Sequence, residues 1–400
     1  MQTPSSTQPT SDTYTFWGGA LSLFSGKVRS YLIKKGLPYR EFYSVHPEFN
    51  ARVYPIVRLR VTPIVETPQG EVLQDSTAII LALEQSLPAR PMVPATPLQR
   101  VLAHLLDAYA TEHLLLPAMH YRWAEPHVSA QRSFLDAEFG RVSYLGNDRA
   151  ARNAAGARMM AYFSNMLGSL GGTPETAPAI EAVYLDLLER LDEHFQYFPY
   201  LLGGHPSIAD FGFMAPLYAH LGRDPVPSRL MALRAPNVKR WVERMNLAVI
   251  PDGEFPDQAP AFLPDDALPP TLEPVLQMLF QDWTPELLAN VQAYHDWLAA
   301  APQRPEGTLL SVDGKRRVHP ALGPIHYPLR DVTVHRASAP QTLWHFDLML
   351  QYVRSLDGAA KQRWDALMER VGGQAAMGTR LQRPIVRKDY VLTLGGEPGR

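Results

Sequence analysis

Four groups of residues combine types and spacings that can do chemistry. Ser22-Leu23-Phe24-Ser25-Gly26-Lys27-Val28-Arg29 places hydroxyls at the mouth of a helix, where free backbone N–H groups and the helix dipole favour an anion. Thr62-Pro63 precedes an apolar strand, a setting in which a cis X-Pro bond is a deliberate feature. Gln74-Asp75-Ser76-Thr77-Ala78-Ile79 opens a second helix with an acid and a hydroxyl. Ser207-Ile208-Ala209-Asp210, after Leu201-Leu202-Gly203-Gly204, has the form of a capping box and reads as structural.

Other patterns carry less. His113, His120 and His127 recur every seven residues among thirteen histidines, but no carboxylate is spaced with them as a ligand set, so no metal is expected. Cysteine is absent, which removes disulfides, thiolate zinc sites and any cysteine nucleophile of the protein's own. Ser25-Gly26-Lys27 is only a fragment of a phosphate loop, and Gly168-Ser169-Leu170-Gly171 lacks the form of a hydrolase elbow. Lys315-Arg316-Arg317 after Asp313-Gly314 reads as a solvated hairpin turn.

The elements that must position these groups fall into three zones of a 400-residue chain. Residues 14–88 alternate short strands and helices. A strand at Tyr14-Thr15-Phe16-Trp17 is followed by a helix over 25–35 that Gly36 ends, then strands over 38–44, 61–66 and 71–73, and a helix over 74–87. Residues 97–250 carry apolar side chains three and four apart, which predicts helices over 98–123, 131–139, 148–170, 175–198, 209–221 and 237–245. Pro117 is expected to bend the first of these. Residues 251–400 form an extension, with helices over 272–301 and 343–371 and strands over 308–312 and 332–335. Residues 1–13 read as a disordered leader. The fold class is therefore α/β plus all-α: a small α/β unit, a helical bundle, and a mixed, mainly helical extension.

Composition narrows the function. With 38 basic and 40 acidic side chains the formal charge is −2, which argues against nucleic acid as the main partner. No run of about 18 apolar residues exists, so no membrane span is expected. A leader with neither a basic start nor an apolar stretch points to a cytoplasmic protein.

Taken in order, Ser22…Lys27-Val28-Arg29, Lys35-Gly36-Leu37-Pro38-Tyr39, Thr62-Pro63-Ile64-Val65, Asp75-Ser76-Thr77-Ala78-Ile79 and Ser207-Ile208-Ala209-Asp210 resemble a glutathione S-transferase of the serine type. The resemblance spans roughly residues 14–246. It implies a thioredoxin-like N-terminal domain, an all-helical C-terminal domain and a homodimer. It further implies that Ser22 donates to the glutathione sulfur, with Ser25 as its rival. Thr62 before Pro63 would offer main-chain groups to the cysteinyl part, and Asp75 and Ser76 would hold the γ-glutamyl end. Thr62 stands where the family usually has valine, and Leu59-Arg60-Val61 replaces its common Gly-Lys pair; Arg60 is the nearest substitute. The helix over 98–123 would line the pocket for a small apolar electrophile with Tyr109, His113, His120 and Tyr121.

The chemistry so implied has a workable size. A free thiol has a pKa of about 8.5, and lowering it by two units requires about 2.7 kcal/mol in favour of the thiolate. One hydrogen bond to a charged acceptor supplies about 1.5–3 kcal/mol, and a helix N-terminus adds about 0.3–1 kcal/mol. Anion stabilisation by a serine thus suffices without a general base. Two further expectations share the scaffold: glutathione-dependent isomerisation, ether cleavage or dehalogenation, and a non-catalytic glutathione-transferase-like binding or assembly module. The absence of cysteine sets aside the branches that attack with their own thiol.

Overall fold

In a computed structural model, which describes residues 12–315 and 317–396, the chain begins with strand β1 (Tyr14–Trp17), helix α1 (Leu23–Lys35) and strand β2 (Tyr39–Phe42). A π turn over Phe49–Val53 runs into α2 (Tyr54–Val57). Strands β3 (Ile64–Glu66) and β4 (Val72–Gln74) and helix α3 (Ser76–Ser86) complete the first unit. Gly36 stops α1 at φ 76°, its N–H returning to the carbonyls of Leu32 and Ile33; glycine enters this left-handed region without a Cβ penalty.

The four strands form one sheet in the order β2-β1-β3-β4. β2 is parallel to β1, whereas β3 and β4 are antiparallel to their neighbours. Side chains alternate across the sheet as pleating requires. Phe16 and Val65 join Val28, Leu32, Ile79 and Ile80 beneath α1 and α3. Trp17 and Ile64 point the other way, onto Phe49, Val53 and Val57. This is the thioredoxin-like unit that the sequence implied.

The helical part follows: α4 (Pro97–Glu112), α5 (Leu115–Trp123), α6 (His127–Ala130), α7 (Arg132–Ser143), α8 (Arg149–Ser164), α9 (Met166–Ser169) and α10 (Ala177–Tyr197). Then come α11 (Ile208–Ala219), α12 (Pro225–Arg234) and α13 (Pro236–Met245). The helix expected over 98–123 is broken rather than bent. Pro117 cannot donate to the carbonyl of His113 and its ring crowds that carbonyl; the Leu114 N–H reaches back to Tyr109 and the Leu116 N–H only to His113. The capping box forms as read, with the Ser207 N–H donating to Asp210 Oδ2 at 2.8 Å. Asp210 also accepts from the Trp241 indole. Burial pushes its carboxyl up to about 6.

The extension contains α14 (Glu273–Ala299), strands β5 (Pro324–Leu329) and β6 (Val332–Ala337), helices α15 (Pro340–Arg354), α16 (Gly358–Val371) and α17 (Gln374–Met377), and strands β7 (Ile385–Lys388) and β8 (Val391–Leu394). Three expectations are corrected here. The helix foreseen over 343–371 is two helices, parted at Ser355–Asp357 where Asp357 is extended. The strand foreseen over 308–312 makes a single bridge, Leu309 to Thr393. The hairpin turn foreseen at Asp313–Arg317 is instead a loop in which the Lys315 N–H donates to the Asp313 carboxylate; Arg316 and residues 1–11 of the leader lie outside the described residues. The extension does not form a separate core: one continuous cluster runs from Tyr14 through Trp241 to Trp283, Phe346 and Leu394.

Candidate functional site

Strand register brings three of the sequence features to one place. Trp17 at the end of β1 pairs with Ile64 at the start of β3, and Ile64 pairs with Gln74 at the end of β4. The residues just beyond this row therefore share one end of the sheet: the loop to Ser22, the Thr62–Pro63 bond, and Asp75–Ser76. The N-termini of α1 and α3 open at the same end.

Ser22 is the N-cap of α1, its Oγ accepting from the Ser25 N–H at 3.3 Å. It is half-buried, whereas Ser25 is fully buried within the helix and its hydroxyl has no partner among the described residues. Geometry therefore separates the two serines: Ser22 faces outward and Ser25 does not. The Thr62–Pro63 bond is cis. Thr62 is half-buried and Pro63 buried. Arg60 is exposed, its guanidinium 4.8 Å from the centre of the Tyr54 ring.

Asp75 caps α3 from a strained backbone, φ 81°, a conformation that costs a non-glycine residue about 1–3 kcal/mol. Its Oδ1 accepts from the N–H groups of Thr77 and Ala78, both at 3.1 Å. Its Oδ2 is taken by the extension: Gln341 Nε2 donates to it at 2.9 Å. Arg387 stands 3.9 Å from the same carboxylate and also donates to the backbone and side-chain oxygens of Gln74. Burial alone raises a carboxyl pKa, but the Arg387 guanidinium, His345 and the Ala78 N–H outweigh it and hold Asp75 below the ordinary carboxylate range. Ser76 is buried behind Asp75.

Beneath this end lies a buried charge pair that the sequence reading missed. Lys27 Nζ on α1 donates to Asp107 Oδ1 on α4 at 2.5 Å, to Thr77 Oγ1 on α3 at 2.6 Å and to Thr111 Oγ1 at 3.1 Å. Thr77 passes its own proton on to Asp107 Oδ2 at 3.0 Å. All three ammonium protons are used, as a fully buried lysine demands. The network fixes the two helix N-termini against each other and against the helical bundle. Gly212 on α11 makes room for it, since a Cβ there would come within 2.6 Å of Asp107 Oδ1.

The four residues expected along the electrophile pocket divide into two buried groups. Tyr109 lies against Phe213 and, from the extension, Trp283; His113 Nδ1 meets Glu286 Oε2 at 2.6 Å. Glu286 is held low, because Arg336 and His113 outweigh its burial. His120 and Tyr121 instead face α10, through Glu181 and Tyr184. All four are at most 3% exposed. The structure therefore does not assemble them into one open wall. The extension covers the first pair, with α15 packing along α4 and Trp283 and Glu286 of α14 reaching Tyr109 and His113, while α10 covers the second.

Residues 18–91 match the family model for the glutathione S-transferase N-terminal domain, and residues 174–244 match that for the C-terminal domain. The two matches stand in order on the thioredoxin-like sheet and the helical bundle described above, so the chain carries both glutathione S-transferase domains, which supports a member of that family. Among solved structures, the β-etherase LigF from Sphingobium sp. strain SYK-6 is 18% identical, over 58% of this chain and 94% of that one, with a TM-score of 0.42. A glutathione S-transferase from Rhodospirillum rubrum is 15% identical over 61% and 98%, TM-score 0.36. One from Methylobacterium radiotolerans is 19% identical over 64% and 100%, TM-score 0.36. No curated protein matches the chain. Among the described residues, no helix is long and apolar enough to cross a membrane.

Proposed function

We propose that the protein is a serine-type glutathione transferase that joins the glutathione thiolate to a small apolar electrophile. The observation that carries this reading is the outward-facing Ser22 at the N-terminus of α1, on the sheet end it shares with the Thr62–Pro63 bond and Asp75–Ser76. In this reading the Ser22 hydroxyl donates to the sulfur and, with the helix N-terminus, favours the thiolate electrostatically. Thr62 offers its main chain to the cysteinyl unit, Asp75 and Ser76 receive the γ-glutamyl end, and Arg60 stands in for the missing lysine. The electrophile reaches the thiolate from the helical side. Ether cleavage, isomerisation and dehalogenation remain variants of the same thiolate chemistry, since a fold does not choose among them. A homodimeric, cytoplasmic protein accompanies the reading; light scattering and cell fractionation test these two parts.

A second reading, a non-catalytic glutathione-transferase-like module, is favoured by one observation: the Asp75 carboxylate is already engaged by Gln341 and Arg387. Calorimetric titration with reduced glutathione separates the two. The transferase reading expects one site per chain in the micromolar to low millimolar range, and a thiolate absorbance that vanishes in Ser22→Ala. It also expects Ser22→Ala to lower turnover by about one to three decades with affinity little changed, the loss of one charged hydrogen bond. No binding at several millimolar would leave the module reading in its place.

A further inference from the structure

A separate cluster joins two histidines and a carboxylate that lie far apart in sequence. His120 on α5 and His127 at the start of α6 each bring Nε2 to 3.0 Å from one oxygen, Glu181 Oε1 on α10. The two imidazoles meet edge to face, with ring centres 5.3 Å apart. One ligand atom from each of the three residues fits within a 4.8 Å span. Glu181 has these two imidazoles as its only hydrogen-bond partners among the described residues; no lysine or arginine balances its charge.

We propose that His120 Nε2, His127 Nε2 and the Glu181 carboxylate bind one divalent cation of the zinc class, with water in a fourth position. Four-coordinate zinc takes imidazole nitrogen at about 2.0–2.1 Å and carboxylate oxygen at about 2.0–2.2 Å, so its ligand atoms stand about 3.3 Å apart. The two 3.0 Å separations need to open by a few tenths of an ångström, and the widest separation, at most 4.8 Å, to close by up to about 1.5 Å, by rotation of the partly exposed His127 and Glu181 side chains. Exposure is graded across the set: the His120 side chain is 2% exposed, His127 15% and Glu181 39%. A cation thus enters from the Glu181 side, and that side leaves the fourth position open to solvent. The ligands are nitrogen and oxygen with no sulfur, which suits zinc, cobalt(II) or nickel(II). Tyr121, whose ring centre lies 4.8 Å from that of His127, walls one flank. None of these three residues belongs to the glutathione-binding set, so the site stands whether or not glutathione binds.

The test uses the untagged full chain, stripped with a chelator and titrated with Co²⁺. We expect one Co²⁺ per chain with the visible absorption of a four-coordinate ion, bleached by an equivalent of Zn²⁺. Glu181→Gln and His127→Ala, both at partly exposed positions, should each weaken binding at least tenfold while the unfolding midpoint without metal stays in place. His326→Ala, in the cross-strand pair His326–His335, should change nothing. The proposal is overturned by the absence of a visible spectrum at millimolar Co²⁺. Equal affinity in the wild type, Glu181→Gln and His127→Ala would overturn it too, since the cation would then sit elsewhere.

Discussion

Gln341 donates to Asp75 Oδ2 at 2.9 Å across 266 residues of sequence. The contact joins the first turn of α15 to the N-cap of α3, at the residue that the family pattern assigns to the γ-glutamyl end of glutathione. Tyr390 strengthens the attachment by donating to the Val72 carbonyl, and Arg387 stacks on Trp344 at 5.7 Å. The extension is thus a wall of the candidate site.

This arrangement makes Gln341 a competitor for Asp75. With Oδ1 accepting two backbone N–H groups and Oδ2 accepting the Gln341 amide, an incoming ammonium must displace or share with that amide. Gln341→Ala should therefore tighten reduced glutathione by about three- to tenfold, since a hydrogen bond to a charged group is worth about 1.5–3 kcal/mol and water recovers part of it. Calorimetry reads the change. A weaker affinity in the variant would make Gln341 a co-ligand.

The Lys27–Asp107 pair gives a stability prediction. Removing one member of a buried pair leaves the other charge without compensation, at about 3–5 kcal/mol, whereas replacing both by apolar groups is far milder. Lys27→Met and Asp107→Leu should each cost about that much, and the double variant less than either. Urea denaturation of the three proteins checks it. Additive losses would show that the pair does not act as a unit.

These two contacts mark what the sequence could and could not disclose. Short-range features were legible because their causes are local: the alternation of Phe16 and Trp17, the stop at Gly36, the Ser207–Asp210 box. The β5 strand was hidden by Pro324 and Pro328, which occupy outward positions of an otherwise regular alternation with Ile325, Tyr327 and Leu329 inward. The break before Pro117 is local too, but its effect falls four residues upstream, at the carbonyl the ring crowds. Partners such as Asp107 for Lys27, Gln341 for Asp75 and Glu181 for His127 are set by helix packing over 80, 266 and 54 residues. No spacing rule reaches that far, and a search for a carboxylate beside the histidine heptad could not have found Glu181.

Buried histidines set the response to acid. Burial lowers His104 and His194 to about 4, and burial with Arg122 lowers His220 as well. A base depressed in the folded state stays neutral there while the unfolded chain protonates near 6.5, so stability is complete above about 6.5 and is lost as pH falls toward 4. Each of the first two contributes about 3 kcal/mol to that loss. Asp210, raised to about 6, has the opposite sign: its share is lost as pH rises from 3.8 toward 6. Burial also lowers His120 and His205 and raises Asp224 and Asp282, and five histidines against three carboxyls give a net fall in the urea midpoint from pH 7 to pH 4.5. In His194→Gln the amide can still bridge the Thr271 hydroxyl and the Tyr200 carbonyl that His194 joins, and the fall should shrink by about one proton's worth. An unchanged slope would remove His194 from the account.

The extension should also be indispensable for folding of the helical bundle. No side chain of the preceding loop caps α4; the cap is Asp266, whose carboxylate accepts from the N–H groups of Leu98 and Gln99 at 2.9 and 3.0 Å. The Gln99 amide adds donations to the carbonyls of Leu263 and Ala267. Further along α4, His104 stacks on Tyr352 at 4.6 Å and Tyr109 meets Trp283 at 5.9 Å. Loss of the cap alone, in Asp266→Ala, should cost about 0.5–2 kcal/mol. Ending the chain after residue 250 removes the cap together with the buried Trp283, Phe346 and Trp364, each side chain worth about 3–5 kcal/mol in a core. Together that is about 10–17 kcal/mol, as much as the 5–15 kcal/mol a domain has in hand. The truncated chain should therefore elute as aggregate in size-exclusion chromatography, while Asp266→Ala elutes as the wild type does with a lower urea midpoint. A monodisperse 1–250 fragment with cooperative unfolding would show that the first two domains close a core of their own.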